Sequence, residues 1–462
     1  MAVDVVQRLR EYVLTHESEQ WIEGWGWDQN KWPEPVFPTA ADLGRDPLLK
    51  GRAIALSRID GHAAWVSPAV LALMGTLPET VDGGSILRDA EGNPTAGIFI
   101  DNAMDLIPRP PWTEHQIKEY FDATIRTALS FGLTTLHDAG SSPEHISFFK
   151  AQADAGKLPI RLYIMGLVSS DEYWGAQIPR LVDYGPQGRL NVRSVKLVTD
   201  GALGSWGAAL LEPYSDKPEQ RGILRQTAEV LAHIIRKFYE DGWQVNIHCI
   251  GDFANHLVLD IFENVLLRPD ASVYKWRPRI EHAQIMTAND LERVGRLGVI
   301  ASVQPTHATS DMSYAESRLG SERILGAYAY RTLLNTSRLN IHSPGGGVLP
   351  LGSDFPVEPV NPLLGFYAAV TRLDTGGNSP HGSGGWFPSQ RLTRAQALKG
   401  MTLDAAYAAF AEDQYGSIAV GKRADFVVLD HDIMQVPVAD ILNTRVVATV
   451  IDGEIMYGQL KV

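Results

Sequence analysis

The sequence predicts an α/β protein: a TIM-type (β/α)8 barrel whose first strand is missing, with a small β-sandwich unit at the C-terminus. Three observations predict it. Four short apolar runs, Val195-Lys196-Leu197-Val198, Val245-Asn246-Ile247-His248, Arg279-Ile280-Glu281-His282 and Leu351-Gly352-Ser353-Asp354, each hold or end on a side chain able to bind a metal. That is how a parallel barrel presents chemistry at the carboxyl ends of its strands. Strand-like runs alternate with helical stretches from about residue 113 onward, which implies parallel pairing with right-handed crossovers. Near the end, Asp452-Gly453 lies between two apolar runs, the signature of a tight hairpin.

At 462 residues the chain is long enough for one large barrel with an appendage. We divide it into a barrel over 1–412, with a lid-like insertion at about 21–112, and the C-terminal unit over 413–462. A hydrophobic content of 45% with 21% charged residues is that of a globular protein, and no run approaches the roughly 18 apolar residues of a membrane span. The formal charge of −13 argues against nucleic acid or an anionic membrane as partner, because either would need a basic face. A small-molecule ligand is expected instead. Cys249 is the only cysteine, so disulfides within the chain are impossible, and a reducing, cytoplasmic setting is the natural expectation.

Residues 1–20 read as a helix, with Val5, Leu9, Val13 and Leu14 at near-helical spacing. The stretch Trp21 to Asp28, followed by prolines at 33, 35 and 38, is aromatic and Gly-rich with no repeat period. It is expected to be an ordered excursion, not a regular element, suited to a lid or pocket wall. Ala53 to Ile59 is a candidate for the missing barrel strand, although the helix that a crossover requires is not evident beside it. Gly83 to Ile100 reads as a hairpin. Barrel-type strands are expected at 133–138, 160–165, 195–198, 244–250, 279–284, 299–304 and 348–356, with helices at 113–131, 225–241, 253–267 and 288–297. That makes seven strands where a closed barrel needs eight. Thr393 and Thr402 are expected to start two helices, and Phe426–Leu429, Val446–Ile451 and Glu454–Tyr457 to form the β unit.

His248 and His282 each end a strand and lie 34 residues apart, about one strand, loop, helix and loop, so neighbouring strands would aim both imidazoles at one point. Histidine and carboxylate suit zinc or another borderline divalent ion. Lys196 is normally a poor ligand, but burial at a strand end lowers its pKa, and the neutral amine can add carbon dioxide to give a metal-bridging carbamate. Asp354 stands where a carboxylate could touch the metal and take a proton from water. Asp138, Asp200, Gln304 and His307 are further polar strand ends. Asp200 to Ser205 is a Gly-rich loop that could let substrate approach backbone amides. His62, in Asp60-Gly61-His62, could hydrogen-bond a substrate carbonyl. Cys249 is expected to be core, because successive strand residues face opposite ways.

Val195 to Ser205, Ile247 to Asp252, Arg279 to Gln284, Val303-Gln304-Pro305 and Gly352 to Val357 together resemble the amidohydrolase superfamily, specifically the amidohydrolase 3 family that includes N-substituted formamide deformylase. The aromatic excursion, Asp60-Gly61-His62 and the tail from Gly416 to Leu429 match as well. The resemblance implies a metal-dependent barrel with a composite β-sandwich made from both chain ends, which hydrolyses an amide, formamide or N-acyl C–N bond by metal-activated water. It implies Lys196 as the carbamylated bridge, His248 and His282 as ligands of one of two metals, and Asp354 as base and ligand. From their own positions, His62, Asp200 and Gln304 are the candidate substrate-binding residues.

Members of that family carry a His-x-His pair on an early strand, and no two of the thirteen histidines here are two residues apart. Three readings therefore stand: an amidohydrolase whose first segment is absent, its activity as given left open; a single-metal enzyme using His248, His282 and either Lys196 or Asp354; or a non-catalytic barrel that binds a small ligand or a partner chain. An open barrel also exposes strand edges, so a homo-oligomer is expected.

Overall fold

The computed structural model describes residues 1–16, 21–89, 91–339 and 346–460. They divide into two compact units, Met1–Thr113 with Asp200–Gln226, and Glu114–Thr199 with Thr227–Val462. Among the described residues no helix is long and apolar enough to cross a membrane.

The first unit opens with a helix over Ala2–Thr15 that buries Leu9 and Val13; the remainder of the helix expected over 1–20 includes residues 17–20, which lie outside the described residues. A five-stranded sheet follows, built from β1 (Trp21–Trp27), β2 (Ala53–Arg58), β3 (Ala63–Val66), β4 (Gly84–Ile86) and β5 (Ile98–Asp101) in the order β1-β2-β3-β5-β4. Trp21–Trp27 is thus a regular strand and not an irregular excursion. Its glycines belong to the pairing. A Cβ on Gly24 would stand 2.7 Å from Leu56, and Gly26 has φ +104 where the register shifts between Trp25 and Trp27. Glycine tolerates both the close approach and the bulge, and this is what hid the two-residue period. Ala53–Arg58 lies in this sheet, parallel to β1 and antiparallel to β3, so it is not the missing barrel strand. The hairpin expected over 83–100 is present as β4 against β5. Trp27 anchors the sheet by donating its Nε1 hydrogen to Leu56 O at 2.9 Å and packing edge-on against Trp65.

The second unit holds the parallel strands β6 (Thr135–Ser141), β7 (Arg161–Gly166), β9 (Leu190–Val198), β10 (Gln244–Cys249), β11 (Arg279–His282) and β12 (Ile300–Ser302), paired in that order, with β8 (Leu181–Tyr184) antiparallel on β9. The crossover helices Ala228–Glu240, Asp252–Leu266 and Ala288–Leu297 are close to the expected ranges. The last expected strand, 348–356, makes only a single parallel bridge, Leu351 to Val303. Pro350 and Pro356 supply no amide hydrogen and Asp354 has φ +59, which together stop a ladder from extending. Among the described residues β6 and the Leu351 segment do not pair with each other, so the curled sheet is an open half-barrel.

Its inner face is polar. Tyr163 on β7 donates to Gln244 Oε1 on β10 at 2.6 Å, and Arg279 on β11 reaches His137 on β6 at 3.3 Å. These pairs join strands that are not neighbours, so all four side chains lie inside the curl. Strand register puts Lys196, Asn246 and Arg279 in one row and Val198, His248 and Glu281 in the next. Burial, reinforced by the Arg279 charge, drives the His137 imidazole down to about 3 and keeps it neutral.

Helices Arg394–Met401 and Leu403–Ala408 begin at Thr393 and Thr402 as expected. The C-terminal strands β13 (Phe426–Leu429), β14 (Val446–Ile451) and β15 (Glu454–Gly458) form an antiparallel sheet that belongs to the second unit. Asp452 and Gly453 have φ +55 and +83 in the turn between β14 and β15, the geometry that a two-residue hairpin favours.

Candidate metal centre

The carboxyl ends of β10, β11 and the following segments bring several predicted residues together. His248 and His282 face each other with ring centroids 4.5 Å apart. Strict alternation would turn His282 away from His248, because Glu281 is the residue in register with His248. The backbone resolves this. His282 has φ +73 and Ala283 φ +45, a left-handed turn that side chains other than glycine enter at a cost and that is found where the surroundings over-determine it. The same device recurs at Asp354, with φ +59.

His282 Nδ1 lies 2.9 Å from Gln304 Oε1. An amide oxygen only accepts, so Nδ1 carries the hydrogen. Gln304 thus orients a histidine in this structure. Gln304 occupies the position before the helix Pro305–Asp311 without capping it by its side chain, and the helix's first turn carries His307; that ring lies nearly parallel to His282 with centroids 5.8 Å apart. Ligand atoms of His282, His307 and Asp354 all fall within 4.8 Å of one another, and the group does not extend to His248. One turn beyond His307, Asp311 accepts hydrogen bonds from the Tyr314 and Tyr328 hydroxyls. Burial pushes the Asp311 carboxyl up, opposed by the His307 charge and the two hydroxyls.

Two imidazoles and a carboxylate form the donor set of a catalytic divalent site. His307 Nε2 is buried and makes no hydrogen bond, an arrangement that costs energy unless a partner binds there. The residues present therefore fit a borderline divalent ion.

Lys196 is buried on β9, in register with Asn246 of β10. Asp138, in the middle of β6, is its electrostatic neighbour: burial pushes the Asp138 carboxyl up, while the Ser141 hydroxyl and the charges of His145 and Lys196 oppose that shift. Cys249 is buried, as expected.

His62 and Asp200 belong to the first unit. His62 Nδ1 is 2.6 Å from Asp101 Oδ1. Burial alone would lower the His62 pKa, but the Asp101 hydrogen bond and the charges of Asp101 and Asp60 outweigh it, against Arg225, and the net direction is up. Asp101 is itself in an unusual conformation, φ +50. Asp200 accepts from the Ala209 amide at 2.9 Å.

His307 is the site residue that the sequence pattern underrated. It follows a strand in Gln304-Pro305-Thr306-His307, and proline at the first helical position was the available sign that a helix, with His307 in its first turn, begins there.

The amidohydrolase family model matches residues 2–457. The chain belongs to the amidohydrolase family. It is 33% identical over 464 residues to the protein named "Putative amidohydrolase YtcJ" from Bacillus subtilis (strain 168), covering 98% of this chain and 83% of that one. It is 24% identical to N-substituted formamide deformylase from Arthrobacter pascens over 98% of this chain and 82% of the other. An uncharacterized metal-dependent hydrolase from Pyrococcus horikoshii OT3 superposes with a TM-score of 0.69 at 27% identity, over 94% of this chain and 81% of that chain. The family is one of hydrolases, and the solved structure that this chain resembles is that of a metal-dependent hydrolase.

Proposed function

We propose that the chain hydrolyses a non-peptide C–N bond, of the amide, formamide or N-acyl type, in a small substrate, with zinc as the metal. The observation that carries this reading is the convergence of His282, His307 and Asp354, with His248 beside them, at the carboxyl end of a parallel sheet. A divalent ion held there would supply a Lewis acid and an activated water.

The chain's own residues do the rest. Asp354 carries two oxygens, so one can face the ion while the other accepts the proton that leaves the attacking water. Gln304 holds His282 in the tautomer with its hydrogen on Nδ1. Lys196, carbamylated, is proposed as a ligand of a second ion. His62, by its imidazole, and Asp200, at the head of a Gly-rich loop, enter the proposal as substrate-binding residues, and the likeness to a formamide deformylase favours N-substituted formamides as the first substrates to try.

The test is hydrolysis of N-substituted formamides, N-acyl amino acids and simple amides by the purified chain, loaded with Zn²⁺. Turnover that is abolished by chelation, restored by the ion and reduced about 100-fold or more by Asp354→Asn is the expected result. A metal-loaded protein that turns over none of these classes refutes the reading and favours a barrel that only binds.

A further inference from the structure

We infer that His307 is a metal ligand, and that His282, His307 and Asp354 by themselves hold one divalent ion. This rests on the reading that the chain binds a catalytic metal, and it changes which residues do so: the primary ion sits on β11 and the two segments that follow it, without Lys196.

Four observations support the assignment. The three ligand atoms lie within 4.8 Å of one another. His307 Nε2 is buried without a hydrogen bond, and Asp354 Oδ2 is 3.7 Å from it. That separation is too long for a hydrogen bond. It is close to the roughly 3.4 Å expected between two donors that each stand about 2.1 Å from one tetrahedral ion. Gln304, by accepting from His282 Nδ1, places that ring's lone pair on Nε2, the arrangement by which an outer partner prepares a ligating histidine. Finally, His282 and Asp354 both adopt left-handed backbone conformations, so strain is concentrated at two of the three ligands.

The set is compact in the chain as well as in space. The bridge between Val303 and Leu351 brings the Asp354 segment beside β12, and the helix carrying His307 starts directly after β12. All three donors therefore come from neighbouring segments at one edge of the open sheet. No residue from a strand before β6 is required. Three protein ligands leave a fourth position for water, the pattern of catalytic zinc.

The experiment is metal binding by the full chain, stripped with a chelator and titrated with Zn²⁺ against a chromophoric competitor, with Co²⁺ absorption reporting coordination. His307→Gln is expected to weaken binding of the first ion by about 100-fold or more. Gln304→Leu, which keeps all three ligands, is expected to weaken it about 10- to 100-fold. Lys196→Met is expected to leave it within about threefold. Unchanged Zn²⁺ affinity in His307→Gln, or an equal loss in Lys196→Met, overturns the assignment. Should His307→Gln not fold, the anomalous signal of Zn²⁺ in wild-type crystals decides: a peak about 2.0–2.1 Å from His307 Nε2 supports the assignment, and a peak held by His248 and His282 away from His307 overturns it. A protein that binds zinc through His307 but hydrolyses no C–N bond would refute the proposed function and leave this inference standing.

Discussion

Arg161→Met should loosen the C-terminal sheet selectively. Arg161, on β7, donates from Nε and Nη2 to both oxygens of Asp425, at 2.6 and 2.9 Å, and also reaches Asp452 in the hairpin turn. Both partners of the first pair are 3% exposed. Methionine keeps much of the apolar stem but leaves Asp425 with the Asp452 amide at 2.8 Å in place of a guanidinium. Breaking one side of a buried pair costs about 3–5 kcal/mol, mostly because the remaining charge is stranded away from water. Asp452 is less affected, since Arg189 and Arg423 also donate to it. The assay is hydrogen exchange of the β13, β14 and β15 amides, which report opening of that sheet. A loss of this size speeds exchange by roughly two to three and a half orders of magnitude. Arg423→Met is the control: its pair with Asp452 is 31% and 25% exposed, and such pairs contribute about 1 kcal/mol or less. Acceleration below tenfold in Arg161→Met, or equal acceleration in the control, would refute the reasoning. The acid response follows from Asp452. Burial alone would raise its pKa, but hydrogen bonds and charge from Arg161, Arg423 and Arg189 bring it below the usual range. A depressed folded pKa means the stabilisation is present above the unfolded value near 3.9 and fades as pH falls through the folded one. The sheet should therefore loosen at acid pH, less steeply in Arg161→Met.

Three further outcomes are expected. Asp101→Asn should bring the His62 pKa, followed by nitrogen-detected NMR, below its wild-type value. Because that pKa is raised in the folded chain, the wild-type pair stabilises below about pH 6.5 and loses its contribution as pH rises through the folded value; an unchanged titration in the variant rejects the dyad. Gly295→Ala should destabilise the second unit, since the added carbon would stand 1.9 Å from Thr336 O. The gain of about 1 kcal/mol in helix propensity is smaller than the overpacking cost, about 1–3 kcal/mol and more against backbone, so a raised melting temperature would contradict the packing. The chain should self-associate through the edge of β6 that pairs with no strand among the described residues, and a monomer by light scattering across a concentration series would overturn this.

Much of the second unit was legible because its signals are local. Strands at 195–198, 244–250 and 279–284 are short runs bounded by helices with a 3.6-residue period, and a strand buried on both faces reads as a near-continuous block without alternation. The Asp452-Gly453 turn declares itself because few residue pairs accept positive φ twice. The first unit was less legible. Glycines at 24 and 26 look like loop residues until a neighbouring strand is seen to need them, and whether Ala53–Arg58 pairs with a barrel strand or with Trp21–Trp27 depends on partners far along the chain.

By itself the sequence determined which residues could hold a metal and that most of them stand at strand ends, because residue chemistry and the two-residue strand period are written locally. Only the tertiary structure decided which of them meet. His248 and His282 meet as expected, but not by strand alternation, which puts Glu281 in register with His248; a left-handed backbone turn at His282 and Ala283 brings the ring into the cluster. His307 reads as one more polar strand end until β12, the helix after it and the Asp354 segment are placed side by side. A ligand set is a property of distances between segments, and those are set by packing.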